Sequence, residues 1–208
     1  MSRSLIVISN HFLTFVHDQV LELSASFDKV YVYVVVPRIP RAFLKMQRFS
    51  SLKQRYNLEL VNLPSNVHVK FAYYWKLPSN KLTLGSLEKA ANSISNDFSN
   101  HANTSSVIHA HFAWPSGCVA MKLSEKIGVP YVTTVHGYDI YDMPLRNKFY
   151  KETIARVLSR SSHIIPVSER LKDLISHNLG VDLKNVTAIP NGFDQNIFHR
   201  IDKRKARD

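Results

Sequence analysis

Histidines occur in two neighbouring apolar segments of this chain, and imidazoles at such positions can do chemistry. The segment VIHAHFAWPSG contains His109 and His111, and the segment GVPYVTTVHGYDI contains His136. Each segment contains a predicted strand, and the helix predicted between the two makes these strands parallel neighbours. Ligands bind at the carboxyl edge of such a sheet. We therefore predict that His111 and His136 face one cleft.

The three histidines are compatible with two kinds of site. His109 and His111 are two residues apart and share one face of their strand, so with His136 they would form a three-histidine metal site. No carboxylate or cysteine lies at ligand spacing nearby, and we therefore predict that no metal is bound. His109 is typical of a core histidine. We expect His136, which ends its strand just before Gly137, to be the reactive residue.

Strand and helix patterns alternate along the chain, which predicts an α/β fold with a parallel sheet and helices on both faces. The predicted strands are 4–9, 30–36, 67–72, 107–111, 131–135, 163–167 and 186–189. The predicted helices are 14–25, 82–98, 115–127, 147–159 and 169–178, with Ser168 as an N-cap and Gly128 and Gly180 as terminators. Residues 37–66 are expected to be irregular or partly helical.

The turn after the first strand excludes a nucleotide site of the dinucleotide-binding or P-loop type. Both types need glycines where the backbone approaches a phosphate. The turn from Ser9 to Leu13 reads SNHFL, and the first of the six glycines is Gly85.

Composition indicates a soluble globular protein. Hydrophobic residues make up 45% and charged residues 21% of the 208 residues, and no apolar run approaches the ~20 residues of a membrane helix. The apolar stretch Leu5–Ile8 is too short for a signal peptide, so we expect a cytoplasmic protein. The single Cys118 excludes an internal disulfide and is interpreted as a packing residue.

The net charge of +11 requires an acidic partner or surface. No acid lies between Asp28 and Glu59, and this window combines Arg and Lys with apolar residues. The basic and apolar members are Lys29, Arg38, Arg41, Lys45, Arg48, Lys53, Arg55, Phe43, Leu44, Met46, Phe49 and Leu52. Such a segment favours an anionic membrane surface, and the alternative is a solvated surface segment. No nucleic-acid recognition motif is present, so we predict no nucleic-acid partner.

Several blocks carry a resemblance to a known family. HAHFAWPSG, VTTVHGYDI, HIIPVSERLKDLI and VTAIPNGFDQNIF follow one another in the order and spacing of the amino-terminal half of family 4 glycosyltransferases. The opening TFVHDQVLEL resembles members of capsule, teichuronic-acid and colanic-acid synthesis. The resemblance extends from Leu5 to Phe198 and implies one Rossmann-like half of the two-domain GT-B architecture.

The resemblance implies an acceptor-binding domain over residues 1–195 and a basic linker or tail over 196–208. The donor domain that follows in the family is expected to be missing, or to lie in a separate partner chain, so this chain would be inactive alone. It would bind no cofactor, and would meet a nucleotide-sugar only with that second domain. The implied reaction is retaining transfer to a saccharide or lipid-linked saccharide acceptor, at the inner face of the membrane. The alternative is a non-catalytic module that binds a glycan, a lipid or a protein.

The resemblance also implies roles for residues of the cleft. His136 is expected beside the donor sugar as the catalytic residue, with Gly137 allowing close backbone approach and Asp139 contacting hydroxyls or fixing a tautomer. Trp114 is either a sugar-stacking platform or a buried residue at a helix start. The expected substrate-binding residues are Asn10, His11, His111, Trp114, Gly117, Gly137, Tyr138, Asp139, Asn191 and Gly192.

Overall fold

The computed structural model describes residues 3–13, 15–38, 62–98 and 105–193, together with the single positions 56, 58, 60 and 204. Most of the acid-free basic window therefore lies outside the described residues. The predicted linker or tail at 196–208 also lies outside them, apart from Arg204.

Within the described residues, one sheet contains six parallel strands in the order β3-β2-β1-β4-β5-β6. The strands are β1 (Arg3–Ser9), β2 (Lys29–Pro37), β3 (Val67–Tyr74), β4 (Ser105–His111), β5 (Tyr131–Val135) and β6 (His163–Pro166). The predicted Rossmann-like α/β fold is confirmed. The chain starts in the middle of the sheet and winds first to one side and then to the other. A crevice forms at the carboxyl edge between β1 and β4, where this direction reverses.

Helices connect the strands on both faces of the sheet. They are α1 (Phe15–Ser24), α2 (Asn80–Phe98), α3 (Cys118–Ile127), α4 (Tyr138–Tyr141), α5 (Met143–Arg146), α6 (Lys148–Arg160) and α7 (Glu169–Leu179). The predicted cap Ser168 accepts a hydrogen bond from the backbone N–H of Leu171. Gly128 and Gly180 end α3 and α7 at φ 70° and 65°, as predicted. No described helix is long and apolar enough to cross a membrane.

Two predicted elements differ in the structure, and two short helices are additional to the prediction. The strand predicted at 186–189 is wrong, because only Val186 forms a bridge with Ile164 and Pro190, which lacks an N–H, follows at once. The helix predicted from Pro115 begins at Cys118, after a wide helical turn over Ala113–Gly117. The short helices α4 and α5 were not predicted, because segments of four residues carry no helical periodicity.

The alternation along β4 decides where the histidines project. Val107 belongs to the apolar layer on the α1 side of the sheet, whereas Ile108 and Ala110 belong to the opposite layer, which α2, α3, α6 and α7 cover. Because side chains alternate between the two faces of a strand, His109 and His111 project to the α1 side.

Candidate functional site

A cavity of about 370 Å³ opens at the carboxyl edge of the sheet. Its volume lies in the range of small-molecule sites. The cavity includes four of the predicted site residues, namely Asn10, His11, Trp114 and Tyr138. The other residues that line it are Pro37, Tyr74, Lys76, Leu77, Asn80, Thr83, Phe112, Pro115, Met143, Arg146 and Tyr150.

The charged side chains in the cavity wall are cationic. Lys76 and Arg146 line it, and no carboxylate does so among the described residues. The Arg146 Nε donates to Asp142 Oδ2 at 2.8 Å, and its guanidinium lies 5.2 Å from the centre of the Tyr138 ring. The wall therefore presents aromatic surface and positive charge, the combination expected for a ligand with apolar faces and an anionic group.

Asn10 joins the first strand–helix turn to the turn after β4. Its Nδ2 donates to the Trp114 backbone carbonyl at 3.1 Å, and its Oδ1 accepts a short hydrogen bond from the Ser116 hydroxyl. The side chain is 7% exposed. Asn10 thus lies in the cavity wall, where its polar atoms hold the loop in place, and its predicted contact with substrate stays a prediction.

Trp114 was predicted to be either a sugar-stacking platform or a buried residue at a helix start, and the structure shows features of both. Its side chain is half-buried and packs edge-to-face against Phe149 and Tyr150, with ring centroids 5.9 and 5.2 Å apart. It also lines the cavity. Aromatic contacts of this geometry fix the indole, so Trp114 offers a rigid aromatic surface to a ligand.

A column of three imidazoles lies beside the cavity. His109 Nε2 is 2.8 Å from the Thr134 hydroxyl, and the His109 and His111 ring centroids are 4.4 Å apart. His111 Nδ1 lies 3.1 Å from His136 Nε2. The structure thus brings His111 and His136 together, as the sheet topology predicts. His111 is fully buried and does not line the cavity, and its predicted contact with substrate stays a prediction.

Burial keeps this column uncharged at neutral pH. It lowers the pKa of His109 to about 4 and that of His136 to about 3. The pKa of His111 also lies well below its ordinary value, because of burial first and of the neighbouring imidazoles second. These side chains therefore act by hydrogen bonding and not by charge.

Two phenyl rings enclose His136. Phe15 and Phe112 each have a ring centroid 4.5 Å from that of His136. Phe112 has a φ of 73°, which is unusual for a residue with a side chain and costs about 1–3 kcal/mol. Its N–H donates to the Thr134 carbonyl at 2.8 Å, and its carbonyl accepts from Gly117 at 2.9 Å. These bonds hold the strained backbone that places Phe112 between the cavity and His136.

Asp139 connects the turns that follow β4 and β5. Its Oδ2 accepts from the Ala113 N–H at 2.8 Å, and its Oδ1 accepts from the N–H groups of His136 and Gly137 at 3.1 Å each. The side chain is 1% exposed. Both oxygens are bound to backbone donors, which anchor the two loops to each other, and the predicted contact of Asp139 with substrate stays a prediction.

The predicted site glycines are required by local geometry. Gly137 has a φ of 114°, and a Cβ there would lie 2.7 Å from a ring carbon of Tyr141. A Cβ on Gly117 would lie 2.7 Å from Val157 Cγ1 and 3.2 Å from the Phe112 carbonyl oxygen. Both glycines are buried and neither lines the cavity; they allow close packing and a tight turn, and their predicted contacts with substrate stay predictions.

The remaining predicted residues lie at the end of the described part of the chain. Asn191 and Gly192 are exposed and do not line the cavity, so the contacts predicted for them are not found there. Across the described ranges, no group of three His, Cys, Asp or Glu side chains is arranged to hold a metal ion. The metal-free site stays a prediction.

Sequence analysis missed several residues of the cavity. Lys76 follows β3, Arg146 lies in α5 and Tyr150 lies in α6, so they come from segments that are far from the histidines in sequence. A single basic or aromatic residue in such a segment carries no pattern. Phe112 was inside the quoted segment, but nothing in the sequence signals its positive φ.

Solved structures share the fold at low sequence identity. Alr3699/HepE of Anabaena, crystallised with UDP, gives a TM-score of 0.59 at 15% identity over 95% of this chain and 46% of its own. UDP-GlcNAc 2-epimerase from Methanocaldococcus jannaschii gives 0.52 at 11% identity over 92% of this chain and 46% of its own. These similarities establish the fold, which is that of one Rossmann-like half of a GT-B protein.

The family follows from sequence comparison. The profile described as Glycosyltransferase Family 4 matches residues 14–196, and the chain belongs to this family. A relative in Bacillus subtilis (strain 168), TuaC, carries the name of a teichuronic acid biosynthesis glycosyltransferase and is 32% identical over 99 residues. That segment is 48% of this chain and 25% of TuaC. The chain therefore spans about half the length of the proteins it resembles.

The anchoring role of Asp139 predicts a large loss of stability on its removal. Asp139→Ala would leave three buried N–H groups without partners, and each such group costs about 1–3 kcal/mol. We expect urea unfolding at pH 5 to show a loss of at least about 3 kcal/mol. The control is Asp142→Ala, which removes a partly exposed ion pair with Arg146 worth about 0–1 kcal/mol. Equal stability of the two variants would refute the anchoring role.

The stability difference between the native chain and Asp139→Ala should also depend on pH. Burial raises the pKa of Asp139 from 3.8 to about 6, although its backbone hydrogen bonds act in the opposite direction. The folded state then binds this proton more tightly than the unfolded state, so the native chain loses stability as the pH rises through this window. The difference should be largest near pH 4 and shrink by pH 7, and a constant difference would contradict the raised pKa.

Proposed function

We propose that this chain is the acceptor-binding half of a retaining glycosyltransferase, which moves a sugar from a nucleotide-sugar to a saccharide acceptor in cell-envelope polysaccharide synthesis. The observation that best supports this proposal is the cavity at the carboxyl edge between β1 and β4, in a domain of this family. The turn after β1 contains no glycine that would let the backbone approach a diphosphate. The cavity is therefore better suited to a sugar acceptor than to a nucleotide.

The described side chains support a division of roles in such a transfer. Glycosyl transfer passes through an oxocarbenium-like state, so the enzyme must position the attacking hydroxyl and exclude water. The rigid rings of Trp114 and Tyr138 would hold the acceptor sugar. His136, beside the cavity and uncharged, would orient the donor sugar through hydrogen bonds. Charge on the departing diphosphate would be met by groups of a donor domain, supplied by the same protein or by a partner chain.

The charges of the cavity wall narrow the class of acceptor. Lys76 and Arg146 line the cavity, and no carboxylate of the described residues belongs to its wall. Cationic side chains bind carboxylate and phosphate through strong hydrogen bonds. The proposed acceptor is therefore a saccharide that carries a phosphate or a carboxylate. A lipid-linked saccharide, joined through phosphate, has this chemistry.

The acceptor proposal predicts a preference for anionic sugars. In NMR titrations that follow the Trp114 indole N–H, glucuronic acid and glucose 6-phosphate should bind more tightly than glucose. Arg146→Gln should weaken this binding about tenfold, since a charge-assisted hydrogen bond contributes about 1.5–3 kcal/mol. Lys148→Gln is the matched control, because Lys148 is highly exposed and does not line the cavity. Equal affinity for charged and neutral sugars would exclude an anionic acceptor.

The division of roles predicts that the 208-residue chain does not transfer sugar when it is tested by itself. Its described sheet accounts for an acceptor cavity but offers no glycine-rich phosphate turn. Incubation with UDP- and GDP-sugars and anionic saccharides should yield no product, and calorimetry should show no tight nucleotide binding. Chemical-shift dispersion would confirm that the sample is folded. Product formation, or a dissociation constant near 1 μM, about −8 kcal/mol, would overturn the assignment.

An anionic membrane surface is the proposed location of the reaction. Exposed apolar residues occur in segments that line the cavity mouth, and they include Trp75 and Leu145, which are 49% and 75% exposed. Arg38 lies over the Trp75 ring, 5.7 Å from its centre. Apolar side chains interspersed with cations are typical of proteins that lie on anionic lipid. Such a location would bring a lipid-linked saccharide to the cavity.

Membrane association predicts salt-sensitive binding to anionic vesicles. The triple variant Arg41→Glu, Lys45→Glu and Arg48→Glu should lose binding, because each basic residue contributes about 1 kcal/mol near an anionic surface. The matched control changes Arg170, Lys172 and Lys184 to Glu, which alters the net charge equally. Co-sedimentation is the measurement, with neutral vesicles and added salt as further controls. Equal loss in both triple variants would show that only overall charge matters.

A further inference from the structure

The His136 ring has one polar partner in the described part of the chain, and this partner is another imidazole. His136 Nε2 lies 3.1 Å from His111 Nδ1, while His136 Nδ1 has no hydrogen-bond partner. The two rings are stacked, with centroids 5.4 Å apart and an angle of 18° between their planes. Phe15 and Phe112 pack against His136 but offer it no polar group. The chemical state of His136 therefore depends on His111.

His111 is itself held rigidly. It is fully buried, and its ring packs against His109 at 4.4 Å. His109 in turn shares a hydrogen bond with the Thr134 hydroxyl. The His111 Nε2 atom is buried and has no hydrogen-bond partner among the described residues, which costs free energy that an apolar side chain of similar size would avoid. Packing alone therefore does not explain an imidazole at this position, whereas the contact of its Nδ1 with His136 gives it a role.

Two arrangements of the shared proton are compatible with the 3.1 Å contact. If His136 Nε2–H donates, the proton of His111 sits on its own Nε2, where a fully buried N–H has no acceptor. If His111 Nδ1–H donates, the N–H without a partner sits on His136 Nδ1, which is also a buried atom, although His136 as a whole is only half-buried and packs against the cavity residue Phe112. Both arrangements leave one buried N–H without a partner among the described residues, and such groups are rare in proteins. The second arrangement is favoured, because His136 is the more exposed of the two rings, so a substrate oxygen can approach its N–H more readily than that of His111.

We infer that His111 is a positioning residue that fixes the ring plane and tautomer of His136, by donating its Nδ1–H to His136 Nε2. His136 then carries its proton on Nδ1 and presents it as a hydrogen-bond donor. Only the use of that donor rests on the proposed function: the Nδ1–H of His136 would orient a sugar hydroxyl.

The surroundings keep both rings neutral, as this arrangement requires. The titratable groups that face His136 are His11 from the turn after β1, His109 and His111 from β4, and Asp139 from α4. Asp139 binds the backbone N–H of His136 and not its ring. Burial lowers the pKa of His136 to about 3, and the neighbouring His11 and His109 act in the same direction. The pair therefore holds one fixed hydrogen bond across the physiological range.

The test is the tautomer of His136, read from long-range ¹H–¹⁵N correlation spectra of the imidazole rings. In the native chain, His136 should be in the Nδ1–H form with shifts that stay constant from about pH 5.5 to about pH 8. In His111→Leu, the bond is lost, and His136 should show both tautomers. Detection of the Nε2–H form in the native chain, or an unchanged tautomer in His111→Leu, would overturn the inference.

Two further variants separate positioning from packing. His111→Asn places an amide nitrogen close to the position of Nδ1 and should restore the Nδ1–H form of His136, whereas His111→Gln extends towards the position of Nε2 and should not. If His111→Leu fails to fold, this pair still decides the question, and equal spectra for Asn and Gln would refute the positioning role. The control is His109→Leu, which removes a stacked ring but no bond to His136 and should leave its tautomer unchanged. The readout needs no sugar, so it remains interpretable if the anionic-sugar titration fails.

Discussion

A single buried carboxylate organises the candidate site. Asp139 binds N–H groups from the turns after β4 and β5, and these turns belong to neighbouring strands of the sheet. This link adds to the hydrogen bonds of Asn10 with Trp114 and Ser116, which also hold the turn after β4. Burial disfavours the ionised carboxylate and therefore raises the Asp139 pKa. The three backbone N–H groups that donate to the carboxylate fix its position. The positions of Phe112 and His136 both depend on it.

The same turns separate a neutral region from a charged one. Beneath Phe112, the imidazoles of His109 and His111 are buried and that of His136 is half-buried, and burial lowers the pKa of all three. In the cavity itself, the charged side chains among the described residues are Lys76 and Arg146. An anionic group of a ligand would therefore bind at the rim, where solvent screening is partial. A sugar hydroxyl would meet the neutral donors further in, where low polarity strengthens hydrogen bonds.

Periodicity and terminator residues were sufficient to predict the architecture. Alternating apolar patterns located the six strands, and Ser168, Gly128 and Gly180 marked helix ends correctly because each acts through its own backbone neighbours. The meeting of His111 and His136 was predictable from topology alone, since parallel neighbours end at one edge. The role of Asp139 was not predictable, because a carboxylate beside a histidine suggests a ligand contact. Its burial depends on the wide turn at Ala113–Gly117, which has no sequence signature.

Distant packing explains the other differences between the predicted and the observed site. Gly117 was predicted to contact substrate. In the structure, a Cβ at this position would lie 2.7 Å from Val157 Cγ1 of α6. This close contact arises from the tertiary fold and has no signal in the sequence. Arg146 reached the cavity because α4 and α5 reverse the chain after β5, and its pairing with Asp142 and Tyr138 fixes the direction of the guanidinium. Residues that hold the turns in place, such as Asp139 and Gly117, were thus predicted from the sequence to bind substrate. Lys76 and Arg146, which give the cavity wall its positive charge, resembled ordinary surface residues in the sequence. This difference arises because the cavity wall is assembled from several strand–helix connections. The sequence of one connection does not indicate which residues of the others lie beside it.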